Sequence, residues 1–307
     1  MFDTTKLKHY RRVLENYDFQ NEWKLARNTK YKTWVHNPEK GVALPRLAIY
    51  RTERLWHIEA EVSVPKMLFG HNARLLNQND RNDGLQFISD YVEAHSGLPF
   101  NAETATVARV DFVRDFELLK SEVMPTLKKL SAQTISRTDK LFYNDECLYF
   151  KALAKTRLIR IYDKLRQVLN SKTPNPEAIE YAQNKLRIEF CLLKTDAINR
   201  LVNNLSLPDK TAQSILNQNV ADYAVNEVLD ILQFTQILSN DKPLFELLRE
   251  TFGTRKAMNL FGFLEAVSLY GEQFYKDESF DFSEHSYKRE SRNCKKAKVW
   301  KIPKTNK

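Results

Sequence analysis

Three short segments of the chain alternate apolar residues with residues that can perform acid–base or nucleophilic chemistry. They are VARVDF (107–112), LIRIYDK (158–164) and KLRIEF (185–190). Successive side chains of a strand point to opposite faces, so each segment predicts one apolar and one charged face. The charged faces carry Arg109, Asp111, Arg160, Tyr162, Lys164, Arg187 and Glu189. Carboxylates suit a hard divalent cation and arginine suits phosphate, so the combination points to phosphoryl transfer.

Tyr162 is the candidate nucleophile of this set. A free tyrosine has a pKa near 10 and needs a neighbouring base or cation before it can attack. Lys164 lies two residues further on, on the same predicted strand face. Two ordinary interpretations remain open: Tyr162 is one of 13 tyrosines and can be a packing residue, and the charged faces can be the solvated side of a plain antiparallel sheet.

The elements around these segments predict an α+β protein, with an N-terminal antiparallel sheet and flanking helices followed by a helical C-terminal region. Residues 1–30 are expected to form an early helix or an irregular lead-in, and strand-like segments follow over residues 31–64. The Asn- and Asp-rich segment 70–84 is predicted to be a loop. Beyond residue 195 the apolar spacing is helical. We therefore divide the chain into a sheet domain (1–195), a helical domain (196–277) and a basic flexible tail (278–307).

The net charge of +9 is concentrated at the C-terminal end. Residues 288–307 contain nine Lys or Arg and one Glu, so this segment carries +8 and the rest of the chain about +1. Such a segment can bind the phosphate backbone by releasing counterions, with Lys295, Lys296 and Lys298 as expected DNA contacts. The alternative is a solvated, disordered end.

Several protein classes are excluded or disfavoured by composition. With seven glycines and neither phosphate-loop pattern, a nucleotide-binding loop is not expected. Three widely spaced cysteines argue against a zinc site and favour a reducing compartment. The first residues contain no apolar stretch and nothing approaches 18 consecutive apolar residues, so we expect a cytoplasmic protein with no membrane partner.

Four segments together resemble the gene II/gene X replication proteins of filamentous phages and related plasmids, a family of rolling-circle initiators. They are PKMLFGHN (65–72), VARVDFVRDF (107–116), LIRIYDK (158–164) and KLRIEFCLL (185–193), in the family's order. The resemblance implies that residues 1–195 form a nicking domain with the fold of rolling-circle replication nucleases. It also implies an endonuclease that nicks one strand at the origin, links a tyrosine to the 5′ phosphate and later rejoins the displaced strand.

The resemblance assigns roles to individual residues. Tyr162 corresponds to the nucleophile and Lys164 to the basic residue beside it. The implied cofactor is Mg²⁺ or Mn²⁺. The expected metal ligands are Asp111, Glu189, Glu59 and His71, and the expected DNA contacts are Arg109, Arg160, Arg187 and Asn72. The His-x-His pair of many rolling-circle nucleases does not occur in this sequence. For His71, ordering of the 70–84 loop is the alternative to metal binding.

The expected partners are single- and double-stranded origin DNA, a host helicase and a host polymerase. Two other functions remain open from the residues. One is a non-catalytic initiator that binds the origin and recruits a helicase, and the other is a mobilisation relaxase. Replication and mobilisation need the same chemistry, so the sequence does not separate them.

Overall fold

A computed structural model describes residues 1–12, 23–28, 32–39, 41–51, 55–143, 146–171 and 174–234, and in addition residues 256, 259, 260, 263 and 288–293. Met1–Phe234 form one compact unit and Thr235–Lys307 a second. Residues 288–293 are helical, whereas Lys295, Lys296 and Lys298 and most of the helices predicted beyond residue 234 lie outside the described residues. The division at residues 195 and 277 stays a prediction.

Ten antiparallel strands form one sheet in the described part of the first unit. They are β1 (Phe2–Arg12), β2 (Lys24–Asn28), β3 (Lys32–His36), β4 (Arg46–Arg51), β5 (Leu55–Ser63), β6 (Thr106–Glu117), β7 (Thr138–Tyr143), β8 (Cys147–Ala152), β9 (Arg157–Asp163) and β10 (Lys185–Leu192). Their order is β2-β3-β4-β5-β1-β6-β10-β9-β8-β7. The predicted α+β class with a large antiparallel sheet is confirmed.

Strand β1 corrects the expectation for the start of the chain. Residues 2–12 form neither a helix nor an irregular lead-in but a strand between β5 and β6. Lys6 lies opposite Glu61 in the register and its Nζ is 2.9 Å from the carboxylate, while Leu7 is fully buried on the other face. The pairing partners come from residues 55–63 and 106–117, and such distant partners leave no local pattern in the first 12 residues.

The helices are α1 (Val64–Phe69), α2 (Gln78–Ser96), α3 (Lys120–Ser131), α4 (Lys164–Leu169), α5 (Pro176–Ala182), α6 (Thr195–Asn204), α7 (Ala212–Ile215) and α8 (Gln218–Ile231). The predicted loop 70–84 is wrong in its second half, where α2 begins. Asn77 accepts the backbone N–H of Asp80 and the Asp80 carboxylate accepts that of Asn77, both at 2.9 Å. The polar residues interpreted as a loop therefore form a capping box.

The apolar face of the sheet carries the main core. Val110, Phe112, Ile161 and Ile188 are buried there, as the alternation in the sequence predicts. Helices α6 and α8 pack against β6 and β10, and α3 packs against β8 and β9. No helix among those described is both long and apolar enough to cross a membrane.

The opposite face of the sheet carries the charged residues, and it is only partly open to solvent. The loop after α1 and helices α4 and α5 meet in a small apolar cluster of Ala73, Val168, Ala178 and Ala182. The main chain of this loop contacts Arg187, which lies on the charged face. The predicted solvated face is therefore covered where the candidate nucleophile lies.

Candidate active site

Three neighbouring strands position the candidate catalytic residues. On β9 and β10, Tyr162 lies opposite Arg187 and Arg160 lies opposite Glu189. On β6, Asp115 lies opposite Arg187 from the other side. Antiparallel partners share a face of the sheet, so the charged side chains of the three strands converge.

The phenol of Tyr162 is paired with a carboxylate. Its Oη donates a hydrogen bond to Oε1 of Glu189 at 2.6 Å, and Nη1 of Arg160 lies 3.0 Å from Oε2 of the same carboxylate. Burial raises the pKa of Tyr162 well above its usual value, and the negative Glu189 adds to this effect. Burial also raises the pKa of Glu189, helped by the charge of Asp3. The resting phenol therefore keeps its proton next to a group that can accept it.

A cavity of about 440 Å³ opens beside this pair. Tyr162, Glu189 and Arg160 line one part of it, and Asp3 and Asn72 line another. Tyr162 is 7% exposed, and the cavity is the open space that it lines. The cavity therefore brings together the candidate nucleophile, a carboxylate that is hydrogen-bonded to it and a cation.

Lys164 lies one residue beyond β9, as the first residue of α4, and its side chain is fully buried. Its Nζ donates hydrogen bonds to Oδ1 of Asn72 at 2.9 Å and to Oε1 of Gln167 at 2.7 Å. The same nitrogen is 5.8 Å from the centre of the Tyr162 ring. Burial, with the positive charge of Arg187, lowers the pKa of Lys164 to about 7. Lys164 thus lies beside the ring, while Glu189 makes the contact with the phenol oxygen.

Asp3 is a site residue that the sequence analysis missed. Its carboxylate accepts hydrogen bonds from Oγ of Ser63 and, at 2.8 Å, from Nδ2 of Asn72. It comes from β1, whose pairing with β6 shifts register between Phe2 and Thr5. The segment was not recognised as a strand, and the register shift breaks the alternation that would have placed Asp3 on the charged face.

Arg187, expected to contact DNA, is 1% exposed and holds the fold together in this structure. Its Nε and Nη2 donate to the two oxygens of Asp115 at 2.6 and 2.8 Å. Its Nη1 donates to the backbone oxygen of Asn72, and Nη2 donates to that of Ala73 at 2.8 Å. Arg187 thereby attaches the loop after α1 to the sheet and fixes Asn72 next to Lys164.

Glu59, Arg109 and Asp111 belong to a second charged cluster, on β1, β5 and β6. Glu59 pairs with Lys8 and lies 3.4 Å from Nε2 of His57. Burial opposes the ionisation of Glu59, but the hydrogen bonds from His57 and Lys8 prevail and lower its pKa to about 2. Arg109 bridges Glu61 at 2.9 Å and Asp111 at 2.8 Å. These carboxylates are therefore already neutralised by cations.

His71 lies in the loop after α1 and contacts α5. Its Nδ1 accepts the backbone N–H of Ala73 at 3.2 Å, and its Nε2 is 3.8 Å from Oε2 of Glu177. The ring centre is 6.0 Å from that of Tyr181. Burial lowers the pKa of His71, which favours the neutral ring. These contacts support the alternative in which His71 orders the loop after α1 and does not bind a metal ion.

The four expected metal ligands lie in three separate places: Glu189 beside Tyr162, Glu59 and Asp111 in the second cluster, and His71 next to α5. Within the described ranges, no three His, Cys, Asp or Glu side chains gather in a way that could hold a metal ion. The expected set of four therefore does not fit a single metal centre.

Comparison with known proteins gives the family. No curated protein matches the chain. A family model described as the N-terminal region of the phage replication-associated protein, the gene II product, matches residues 11–213, about two thirds of the chain. The match includes Tyr162, Lys164 and Glu189 and the whole second half of the sheet. The chain therefore belongs to the family of filamentous-phage gene II type replication proteins, and it has a role in the initiation of DNA replication.

Proposed function

We propose that this protein nicks one strand of origin DNA by transesterification, with Tyr162 as the nucleophile. The hydrogen bond of 2.6 Å between Tyr162 and Glu189 carries the proposal, because it joins a nucleophile to a proton acceptor. The cavity beside the pair gives a phosphodiester access to the phenol oxygen. Membership of a replication family supports DNA as the substrate.

In the proposed reaction, the Tyr162 oxygen attacks the scissile phosphorus and its proton passes to Glu189. The bond between phosphorus and the 3′ oxygen breaks, and this oxygen takes a proton from solvent to become a free 3′-OH. The 5′ phosphate remains esterified to Tyr162. In the reverse reaction a 3′-OH gives its proton to solvent and attacks the phosphorus of the phosphotyrosine. The bond between phosphorus and the Tyr162 oxygen breaks, this oxygen takes its proton back from Glu189, and the displaced strand is rejoined.

Cations near the cavity are suited to hold the DNA backbone. Arg160 lines the cavity and its side chain is 31% exposed, so it can reach a phosphate while it holds Glu189. Asn72 also lines the cavity, whereas Arg109 lies outside its lining, in the second charged cluster, and is 25% exposed. Lys164 places its charge beside the ring of Tyr162 when it is protonated. We assign phosphate contact to Arg160 first, because it lines the cavity, is partly exposed and forms an ion pair with Glu189.

In this proposal, Mg²⁺ or Mn²⁺ would be held by fewer protein ligands than the four expected from the sequence. Mg²⁺ in phosphoryl-transfer sites is commonly held by one or two carboxylates, with substrate phosphates and water as the other ligands. Asp3 lines the cavity and would be such a carboxylate, while Glu189 remains the proton acceptor of Tyr162. A bound cation would stabilise negative charge on the scissile phosphate.

The products of the proposed reaction determine the partners. A free 3′-OH is a primer that a host polymerase extends, and the nicked duplex is a substrate for a host helicase. We therefore propose that both act on the complex in which Tyr162 retains the 5′ end.

The test is incubation of the full chain with a single-stranded origin oligonucleotide and Mg²⁺, followed by mass spectrometry of the covalent peptide. We expect a nucleotide adduct on the peptide that contains Tyr162. The Tyr162→Phe variant should lose nicking by several orders of magnitude, because no oxygen remains to attack, while it still binds the oligonucleotide. Nicking by this variant would overturn the assignment. If the unmodified protein binds origin DNA but never nicks it, the non-catalytic initiator replaces this proposal.

A further inference from the structure

Three side chains on β7 and β8 form an exposed apolar surface on the charged face of the sheet. Leu141 is 57% exposed, Tyr143 is 59% exposed and Tyr149 is partly exposed. Leu141 lies opposite Tyr149 in the register, and Tyr143 lies opposite Cys147, so all three share a face. We call Leu141, Tyr143 and Tyr149 the β7–β8 shelf.

The shelf continues the two rows of residues that form the candidate active site. One row runs across the strands from Tyr143 through Cys147 to Tyr162, and the next runs from Leu141 through Tyr149 to Arg160. Tyr143 is thus two strand spacings from Tyr162, which is about 10 Å between their Cα atoms. Tyr143 and Tyr149 also line the cavity beside Tyr162. A nucleotide whose phosphate lies at Tyr162 therefore has neighbours within reach of the shelf.

We infer that the β7–β8 shelf stacks an unpaired base of a nucleotide next to the scissile phosphate, with Tyr143 as the main stacking ring. This inference rests on the proposed function, because it takes the scissile phosphate to lie at Tyr162. Aromatic side chains next to cations are the common surface for unpaired bases. The cations here are Arg160 on β9 and Arg166 on α4, which both line the cavity.

Exposure of these side chains favours a ligand over a role in folding. A tyrosine that packs the fold is covered by neighbours, as Tyr162 and Tyr91 are, whereas Tyr143 exposes more than half of its surface. Strand β7 is also an edge of the sheet, so a second copy of the chain is the competing occupant. The base is the better match, because Arg160 and Arg166 lie beside the shelf and suit the phosphates that accompany a base.

The test measures binding of a short single strand of the origin by fluorescence anisotropy, in a Tyr162→Phe background so that no cleavage occurs. We expect Tyr143→Ala to weaken binding by about 5- to 150-fold, which corresponds to the loss of one stacked base. Tyr143→Phe keeps the ring and should bind like the parent. A single abasic site is then moved along the strand. When the abasic site replaces the base that Tyr143 stacks, next to the cleaved phosphate, Tyr143→Ala and the parent should bind the strand with equal affinity.

The matched control is Tyr223→Ala, which removes a tyrosine that is 38% exposed on α8, away from the cavity, and should leave binding unchanged. The inference is overturned if Tyr143→Ala binds like the parent, if Tyr143→Phe is as weak as Tyr143→Ala, or if no abasic position removes the difference. A change of oligomeric state without a change in affinity would assign the shelf to a second copy instead. Failure of the proposed function gives a different result, because the unmodified protein would then form no covalent adduct with the oligonucleotide in the mass-spectrometry experiment.

Discussion

Tyr162 and Glu189 make a diagonal contact between neighbouring strands. In the register Tyr162 lies opposite Arg187, and Glu189 lies opposite Arg160, yet the phenol oxygen of Tyr162 is 2.6 Å from the carboxylate of Glu189. Diagonal neighbours in an antiparallel pair are within reach of long side chains. The arrangement leaves each member of the pair with an arginine directly opposite, and it makes Glu189 the proton acceptor in the proposed reaction.

Replacement of Glu189 by Gln tests this role through the pH dependence of nicking. Glu189 accepts a proton only when ionised, and its pKa is raised by burial. The nicking rate of the parent should therefore rise with pH through this raised pKa, until loss of the proton from Lys164, whose pKa is about 7, opposes the rise. Glu189→Gln should be about 10²- to 10⁴-fold slower and should lack this rise. Single-turnover nicking from pH 5 to 9 measures both effects. Glu117→Gln, at the exposed end of β6, is the control, and an unchanged profile in Glu189→Gln would exclude Glu189 as the base.

Glu59 should contribute to stability in a manner that depends on pH. Its pKa is about 2 in the folded protein against a usual 4.5, so the folded state binds a proton less readily than the unfolded chain. The contribution is complete above about pH 4.5 and is lost as the pH falls towards 2. At pH 7, Glu59→Gln should lower the free energy of unfolding by at most about 3 kcal/mol.

Urea unfolding at pH 7 and pH 3 checks the sign of this effect. The gap between the parent and Glu59→Gln should be smaller at pH 3, because part of the parent's advantage is then lost. A gap that widens towards acid would show that Glu59 is not stabilised as a carboxylate by Lys8 and His57 in the folded state.

Two arginines that each bind an aspartate allow a comparison of buried and exposed ion pairs. Arg187→Met leaves Asp115 buried without its cation and frees two backbone oxygens, so we expect a loss of about 3–5 kcal/mol in stability. Arg114→Met breaks the pair with Asp222, whose side chain is 43% exposed, and should cost less than about 1 kcal/mol. Thermal unfolding of both variants gives the comparison. Equal losses would contradict the anchoring role of Arg187.

The basic tail should supply affinity for DNA without a part in the chemistry. Simultaneous replacement of Lys295, Lys296 and Lys298 by Gln removes three charges, so the slope of log affinity against log salt should decrease by about 2–3. The rate of nicking at saturating protein should not change. The control replaces Lys120, Lys128 and Lys129 of α3 by Gln, with no expected effect on the slope. An unchanged slope in the tail variant would assign these lysines to a solvated end.

Alternation in the sequence is sufficient to predict β6, β9 and β10, which carry most of the candidate site, but not β1, which carries Asp3. Arg160, Tyr162 and Glu189 lie on the predicted face because β9 and β10 are regular and neighbouring, so the period of two holds along both. The same rule places Asp111 correctly on the charged face, and Glu59 of β5 lies on that face as well, opposite Lys8. Alternation does not show which residues of the neighbouring strands contact these carboxylates. In the structure Arg109 pairs with Asp111, and Lys8 pairs with Glu59.

The roles of Asp3 and Arg187 could not be predicted, because they depend on contacts between segments that are distant in the sequence. Asp3 depends on pairing of the first residues with β5 and β6, and Arg187 became an anchor only because the loop at Asn72 folds over it. The start of α2 was missed for a different reason. Asn77 and Asp80 are loop residues by composition, and only their spacing of three marks a capping box.

The central place of β1 has a consequence for protein synthesis. This strand leaves the ribosome before either of its partners, and β5 and β6 complete its pairing only after residues 63 and 117 have been made. Glu189 follows on β10, the last strand of the sheet among the described residues. Non-local pairings of this kind form late. A nascent chain therefore cannot form the contact between Tyr162 and Glu189 until β10 has been translated, and under the proposed function it would not nick DNA before then.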